Sequence, residues 1–248
     1  MRTVSRLRKE IKSYAKSVVF RNKYLSIILK RKFFGLNNLD KKLLKWVDFK
    51  NGFYVELGAN DGIAQSNTKH FELFNGWRGV LIEPTPHKFK ELKRNRSRRN
   101  SFFNCACVSF SFPKNEIELL YSNLMTVALQ GENDLANRVN HALAGEKFLK
   151  NSGSYKFMAQ ARSLQDILEE SGAPQAIDLM SLDVEGSELE VLKGIDFKRY
   201  SFRYILVETR SLEEVKDYLE EKGMRFEEQL SHHDYLFSRI EPLAVELS

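Results

Sequence analysis

Two acidic residues flank a turn built from small residues, in a pattern that could hold a nucleoside. Glu56 lies inside the apolar run Phe53–Leu57, which leads into the turn Gly58–Gly62, and Glu83 closes a second apolar run. In open α/β sheets the first strand delivers such a turn, and the backbone of the turn approaches the ligand. An acid about 20 residues later accepts hydrogen bonds from the ribose hydroxyls. The spacing therefore predicts a nucleoside-cofactor site.

The composition of the turn distinguishes two classes of cofactor. A dinucleotide site needs G-x-G-x-x-G so that the pyrophosphate can sit on a helix N-terminus. This chain has Gly58-x-Asn60-x-Gly62 instead, and asparagine tolerates the left-handed backbone region almost as glycine does. An acid at Glu56 would repel a pyrophosphate but suits an ammonium or a sulfonium group. The turn thus favours S-adenosylmethionine, and a nicotinamide-dependent oxidoreductase on a related fold is the alternative.

Strand and helix signals alternate after the turn, as in a doubly wound parallel sheet. The segments Arg225–Leu230 and Tyr235–Ser238, joined by SHHD, predict a final hairpin that adds an antiparallel strand. The other predicted strands are 53–57, 79–83, 102–108, 177–183 and 204–208, and the predicted helices are 41–47 (capped by Asp40), 66–74, 87–95, 187–194 and 212–222.

Charge divides the chain into two predicted regions. Lys and Arg number 14 in residues 1–45 against two acids, which gives +12, so the remainder sums to −6 (+6 minus +12). We therefore expect a basic N-terminal helical arm over 1–45 and a catalytic domain over 46–248. Within the domain, residues 111–161 form an insertion long enough to be a lid or an acceptor-binding segment. A surface loop without a function is the alternative.

The basic arm has the pattern of an amphipathic helix over about residues 4–32. Such a helix suits an anionic membrane surface or a partner protein, and a solvated helix packed on its own domain is the alternative. No apolar run approaches the roughly 18 residues of a spanning helix, and the N-terminus lacks the apolar core of a signal peptide. We expect a cytoplasmic protein, peripheral at a membrane at most.

Two other groups of side chains call for plainer explanations. Cys105 and Cys107 are two residues apart in a predicted strand, so we expect neighbouring core thiols, with a metal or redox pair as the alternative. A basic cluster consists of Lys93, Arg94, Arg96, Arg98 and Arg99. We expect it to form a solvated loop face, or to contact an anionic glycolipid or phosphorylated carrier. No nucleic-acid partner is expected, since no aromatic residues are interleaved with these charges.

Together these segments resemble the FkbM family of S-adenosylmethionine-dependent methyltransferases. The resemblance covers about Gly52–Phe237 and rests on the motifs ELGANDG (56–62), SNT (66–68), GWRGVLIEP (76–84), CACVSF (105–110), NLMTV (123–127), IDLMSLDVEGSELEVLKG (177–194), YILVE (204–208) and DYLF (234–237). It implies a seven-stranded Rossmann-like class I methyltransferase sheet and O-methylation of a hydroxyl, often on a carbohydrate or related metabolite. A non-catalytic adaptor that retains the cofactor pocket is a further alternative. The basic arm lies outside the resemblance.

The resemblance and the residue chemistry together assign the predicted cofactor contacts. Glu56 and the backbone of Gly58, Ala59, Asn60 and Asp61 should hold the amino-acid end of S-adenosylmethionine.

Three further residues complete the predicted cofactor site. Ser66 should cap the following helix and receive the cofactor carboxylate, with pure helix capping as the alternative. Glu83 should accept both ribose hydroxyls. Ala106 marks the strand end at which family members hold the adenine.

Three residues are candidates for catalysis. Asp183 and Glu185 follow the strand expected to lie beside the first, where carboxylates can orient the donor, bind a divalent ion or activate an acceptor hydroxyl. We expect Asp183 to position the donor or act as the base, and Glu185 to cap the next helix or brace the site. His233, in the turn of the final hairpin, is an alternative base. No metal ligands are assigned.

Overall fold

The computed structural model describes residues 32–122, 125–129 and 154–240. The predicted helix over 4–32 lies, except for its last residue, outside the described residues, as does the central part of the insertion. The strands are β1 (Phe53–Leu57), β2 (Arg78–Ile82), β3 (Ser101–Phe103), β4 (Ala106–Cys107), β5 (Glu116–Tyr121), β6 (Val127–Ala128), β7 (Tyr155–Arg162), β8 (Ala176–Leu182), β9 (Ser201–Glu208), β10 (Met224–Gln229) and β11 (Asp234–Arg239). The helices are α1 (Leu39–Val47), α2 (Lys69–Phe74), α3 (Pro86–Asn95), α4 (Leu164–Ser171), α5 (Glu188–Leu192) and α6 (Leu212–Glu221).

Seven strands form the main sheet in the order β10-β11-β9-β8-β1-β2-β3. Neighbouring strands from β9 to β3 run parallel, whereas β11 pairs antiparallel with both β9 and β10. The predicted hairpin and its antiparallel strand are confirmed. Because strand order reverses between β1 and β8, the carboxyl ends of these strands frame the crevice in which such sheets bind ligands.

Helices cover both faces of the main sheet, as a doubly wound fold requires. Residues of β1 alternate between the two cores, with Val55 on one face and Tyr54 on the other. On the face of Val55 the helices α4, α5 and α6 contribute Ile167, Leu168, Val191, Leu192, Val215 and Leu219, and on the face of Tyr54 the helices α1, α2 and α3 contribute Leu39, Leu43, Val47, Phe71 and Leu92.

The single strand predicted over 102–108 was wrong. Strand β3 ends at Phe103, because the Asn104 amide turns back and donates to the carbonyl oxygens of Glu83 (2.8 Å) and Pro84 (2.9 Å). The chain then enters a second sheet through β4, so Cys105 lies in the break and Cys107 in β4.

Two helix predictions also need correction. Asp40 lies inside α1 and accepts bonds from the N–H groups of Phe34 (2.6 Å) and Lys41 (3.0 Å), so it fastens the preceding chain rather than capping the helix. Helix α4 was missed, although Ser163 Oγ accepts from the Asp166 N–H (3.1 Å) and Gly172 ends the helix with φ +63°. Its first turn thus has an ordinary serine cap.

The described parts of the insertion form, together with β4, a second, four-stranded sheet. Its order is β4-β7-β5-β6, with β5 antiparallel to both neighbours and β4 parallel to β7. This sheet packs its own apolar cluster around Val108, Ile117 and Leu119. Within residues 32–122, 125–129 and 154–240, no helix is long and apolar enough to cross a bilayer.

A buried ion network lies beneath the turn that follows β1. The Arg96 guanidinium, fully enclosed, donates to Glu56 (Nη1–Oε2 2.9 Å) and to Glu72 (Nε–Oε2 2.9 Å), and Lys69 Nζ lies 2.9 Å from Glu72 Oε1. Two bases therefore neutralise two acids away from water. Placing Arg96 on a solvated loop face was wrong, because the two core carboxylates require a buried cation.

Neutral groups complete the network and join separate segments. Although burial raises the pKa of Glu72, the charges of Arg96 and Lys69 outweigh it and lower that pKa to about 2. The network links β1, the loop before α2 and the chain after α3. The neutral donors to its two carboxylates are Ser66 Oγ, the Asn67 N–H and Thr68 Oγ1 for Glu56, and Tyr54 Oη and Asn100 Nδ2 for Glu72.

Replacing Arg96 by methionine should lower the free energy of unfolding by about 3–5 kcal/mol, because it leaves two buried carboxylates without their cation. The exposed Arg94→Met, two residues earlier, should change it by no more than about 0.5 kcal/mol. Urea denaturation followed by circular dichroism measures both. Equal stability of the two variants would contradict the role given to the network.

Candidate active site

The carboxyl ends of β1, β2 and β8 surround a cavity of about 430 Å³. This is the usual place for a ligand in an open α/β sheet, and the volume lies within the roughly 300–1,000 Å³ of small-molecule sites. The second sheet supplies an apolar wall with Ile117, Leu119 and Ala128. The structure thus places the described strands of the insertion against the predicted site.

The turn after β1 packs directly against the turn after β8. Gly58 has φ +75°, and a β-carbon there would lie 1.9 Å from the Asp183 carbonyl oxygen. Asn60 also adopts a left-handed conformation, with φ +46°, as its sequence position predicts. Gly58, Ala59 and Asn60 line the cavity, so the backbone of the predicted turn forms part of its wall.

Glu83 lies at the end of β2 and faces the same cavity. It is buried, and its carboxylate accepts bonds from the Asn60 N–H (2.9 Å), from the Thr85 N–H (2.8 Å) and from the Thr85 side chain. Burial raises the pKa of this carboxyl. A carboxylate has about four acceptor positions, so capacity remains for a hydroxyl of a ribose.

Glu56 also lines the cavity, but its oxygens already bind the protein through the network described above. Ser66 Oγ donates to Glu56 (2.9 Å) and accepts from the Lys69 N–H (3.1 Å) at the start of α2. The contact of Glu56 with a cofactor ammonium and that of Ser66 with a carboxylate stay predictions. Their observed contacts hold the loop that carries the site.

The end of the cavity near β4 is apolar. Ala106 lies there as predicted, with Cys105, Cys107 and Val108 beside it. Burial raises the pKa of Cys105 to about 12 and that of Cys107 well above its usual range, so both thiols stay protonated. Protonated thiols act as small hydrophobic groups, which suits a flat, uncharged ring.

The opposite end of the cavity is acidic. Asp183 follows β8 and Glu208 ends β9, its parallel neighbour, and their side chains form a hydrogen bond. Burial, with the charges of Asp234 and Glu185 next, raises the pKa of Glu208 to about 7. Burial and the surrounding acids, Glu208 first, raise the pKa of Asp183 well above its usual range. A hydrogen bond between two carboxyl groups requires one proton, so Asp183 and Glu208 share a proton wherever that bond is made.

The other predicted site residues are dispersed. Glu185 lines the cavity with φ +54°, but Glu188 is the residue that accepts from the N–H groups of Val184 (3.2 Å) and Gly186 (3.0 Å). Asp61 is not in the cavity wall, and its carboxylate accepts from two N–H groups of its own turn. No group of three or more potential metal ligands occurs within the described ranges.

His233 does not line the cavity. Its carbonyl oxygen accepts from the Thr209 N–H (2.9 Å), and its ring lies 4.6 Å from that of His232. The acid that sequence reasoning missed is Glu208. Its signal was available, since Glu208 ends the strand of the YILVE motif at the same sheet edge as Asp183.

The strand order, the antiparallel β11 and the cavity at the switch point define a class I methyltransferase-like α/β fold. The profile of the Methyltransferase FkbM domain matches residues 56–226, so the chain belongs to the FkbM methyltransferase domain family. It is 29% identical over 177 residues to methyltransferase sdnD of Sordaria araneosa, an alignment that covers 64% of this chain and 66% of that protein.

Two solved structures resemble the chain at low sequence identity and with TM-scores below 0.5. A methyltransferase FkbM from Methylobacillus flagellatus is 16% identical, with a TM-score of 0.47 over 78% of this chain and 45% of that one. A human methyltransferase 10 domain containing protein is 14% identical, with a TM-score of 0.45 over 82% of this chain and 83% of that one.

Gly58→Ala should abolish tight packing between the two turns and weaken binding of S-adenosylhomocysteine, the demethylated form of the proposed cofactor, by about tenfold or more. Gly223→Ala is the matched control, because Gly223 has φ +79° but nothing within 4 Å of its β-carbon position. Both variants bear a left-handed backbone cost of about 1–2 kcal/mol. Calorimetric titration compares them, and equal losses of affinity would refute the specific role of Gly58.

Proposed function

We propose that the protein transfers a methyl group from S-adenosylmethionine to a hydroxyl of an uncharged carbohydrate or related metabolite. The observation that carries the proposal is the hydrogen-bonded pair Asp183–Glu208 in the cavity that Gly58 and Glu83 also line. A base and a nucleoside-binding acid thus share one site, as hydroxyl methylation needs.

The residues of the cavity fit this cofactor from end to end. The apolar wall around Ala106 suits the adenine, and Glu83 can accept a bond from a ribose hydroxyl. The acidic end at Asp183 and Glu208 suits a cationic sulfonium centre. A nicotinamide dinucleotide fits less well, because its pyrophosphate needs a helix N-terminus at the turn, and the helix that follows Gly58–Gly62 begins only at Lys69.

The chemistry of the transfer divides between the cofactor and the protein. Bound S-adenosylmethionine supplies an electrophilic methyl group on a positively charged sulfur. Glu208 would accept the proton of the acceptor hydroxyl as that oxygen takes up the methyl group. Asp183, through its hydrogen bond to Glu208, would hold the Glu208 carboxyl group in position. Holding donor and acceptor in line supplies much of the remaining rate.

The charge of the site argues for an uncharged acceptor. Glu185 and Glu190 add to the acids of the pair, whereas the bases in the cavity wall are Lys88 and Arg210. Once Glu208 has lost its proton, as a base must, its carboxylate and those of Glu185 and Glu190 outnumber the two bases, and the excess of negative charge would repel a phosphate or carboxylate group on the acceptor. A neutral hydroxyl, as on an unmodified glycoside, meets no such penalty.

The test is methyl transfer from labelled S-adenosylmethionine to a panel of glycosides that are neutral, carboxylated or phosphorylated. We expect methylated product with the neutral glycosides. Treatment of this product with base should leave the label attached, because a methyl ether resists base. Label confined to carboxylated members as base-labile esters would contradict O-methylation of a hydroxyl.

The same assay tests the base. The rate kcat should rise with pH through about 7, since Glu208 must lose its proton to work and its pKa is raised to about 7. Glu208→Gln should lower kcat about 10²–10⁴-fold and remove this rising limb. Glu213→Gln, on the exposed start of α6, is the control. An unchanged pH profile in Glu208→Gln would eliminate Glu208 as the base.

A further inference from the structure

One outer face carries exposed apolar side chains together with lysines. The face, named here the α2 face, consists of Lys32, Phe33, Lys41, Lys50, Leu73 and Phe74. Leu73 and Phe74 are 39% and 44% exposed. Phe33 and Phe74 are neighbours on this face, because both rings pack against the buried His70, with centroids 4.8 Å and 5.0 Å away.

The charged groups of the α2 face are all positive. Lys32 and Lys41 place their Nζ atoms 5.4 Å and 5.9 Å from the centre of the Phe33 ring, and Lys50 Nζ lies 2.7 Å from the Phe74 carbonyl oxygen. The acids of α1 and α2, Asp40 and Glu72, are buried. The face therefore presents cations with no acid of its own helices beside them.

We propose that the α2 face docks the protein on a bilayer that contains anionic lipids. Exposed aromatic and leucine side chains enter the interface of a bilayer, and lysines around them contact anionic headgroups. The sequence before residue 32 adds ten Lys and Arg against the single acid Glu10, so the charge of the neighbouring chain has the same sign.

Other occupants fit the face less well. A second copy of the chain placed symmetrically would bring the lysines of both faces together, which opposes association. A nucleic acid offers phosphates but no apolar phase for Leu73 and Phe74. Leu36, three residues after Phe33, is exposed and also lines the cavity. A bilayer on the α2 face would therefore adjoin the cavity at Leu36.

The experiment measures co-sedimentation of the full chain with phosphatidylcholine vesicles that contain or lack phosphatidylglycerol. The wild type should bind the anionic vesicles, and added salt should weaken the binding. Lys41→Glu/Phe74→Glu should lower the partition coefficient about tenfold or more. Lys198→Glu/Ile240→Glu is the matched control, with the same change in charge at exposed positions outside the α2 face.

Urea denaturation and circular dichroism establish that both double variants are folded, independently of any cofactor. Equal binding by the two double variants would overturn the α2 face as the docking surface. Failure of the wild type to bind anionic vesicles, or binding to single-stranded nucleic acid alone, would overturn the bilayer as the occupant.

Discussion

The buried pairing of Arg96 with Glu56 and Glu72 is the interaction on which the cavity depends. Glu56 sits in the strand that delivers the glycine turn, and it is buried, so its charge requires a cation in the core. Arg96 supplies that cation from the chain that follows α3, and with Glu72 it ties α2 to the same point. The turn at Gly58 is therefore held from beneath by charges that cannot separate without a large penalty.

Above this network the cavity divides its chemistry between two ends. The apolar end is built where β3 stops early and the chain crosses at Ala106 into the second sheet. The acidic end is built where β8 and β9 finish side by side, which brings Asp183 and Glu208 together. In the proposed reaction the apolar end holds the uncharged adenine ring, and the acidic end accepts the proton of the acceptor hydroxyl.

Sequence reasoning succeeded where the signal was local. The strands of the main sheet other than β3, the left-handed turn at Gly58 and Asn60, and Glu83 at a strand end follow from apolar runs and spacing. It failed where the surroundings of a side chain come from segments that are distant in the sequence. Arg96 stands among exposed bases in the sequence, and only the fold shows that two core acids surround it. Glu208 was likewise visible as a strand end, but its pairing with Asp183 depends on sheet order.

The most direct test of the account is calorimetric titration of wild type and Glu83→Ala with S-adenosylhomocysteine and, in parallel, with NADH. The account predicts micromolar binding of S-adenosylhomocysteine by the wild type, at least about tenfold weaker binding by Glu83→Ala, and no binding of NADH. Absence of S-adenosylhomocysteine binding by folded wild-type protein, or equal affinity of Glu83→Ala, would contradict it.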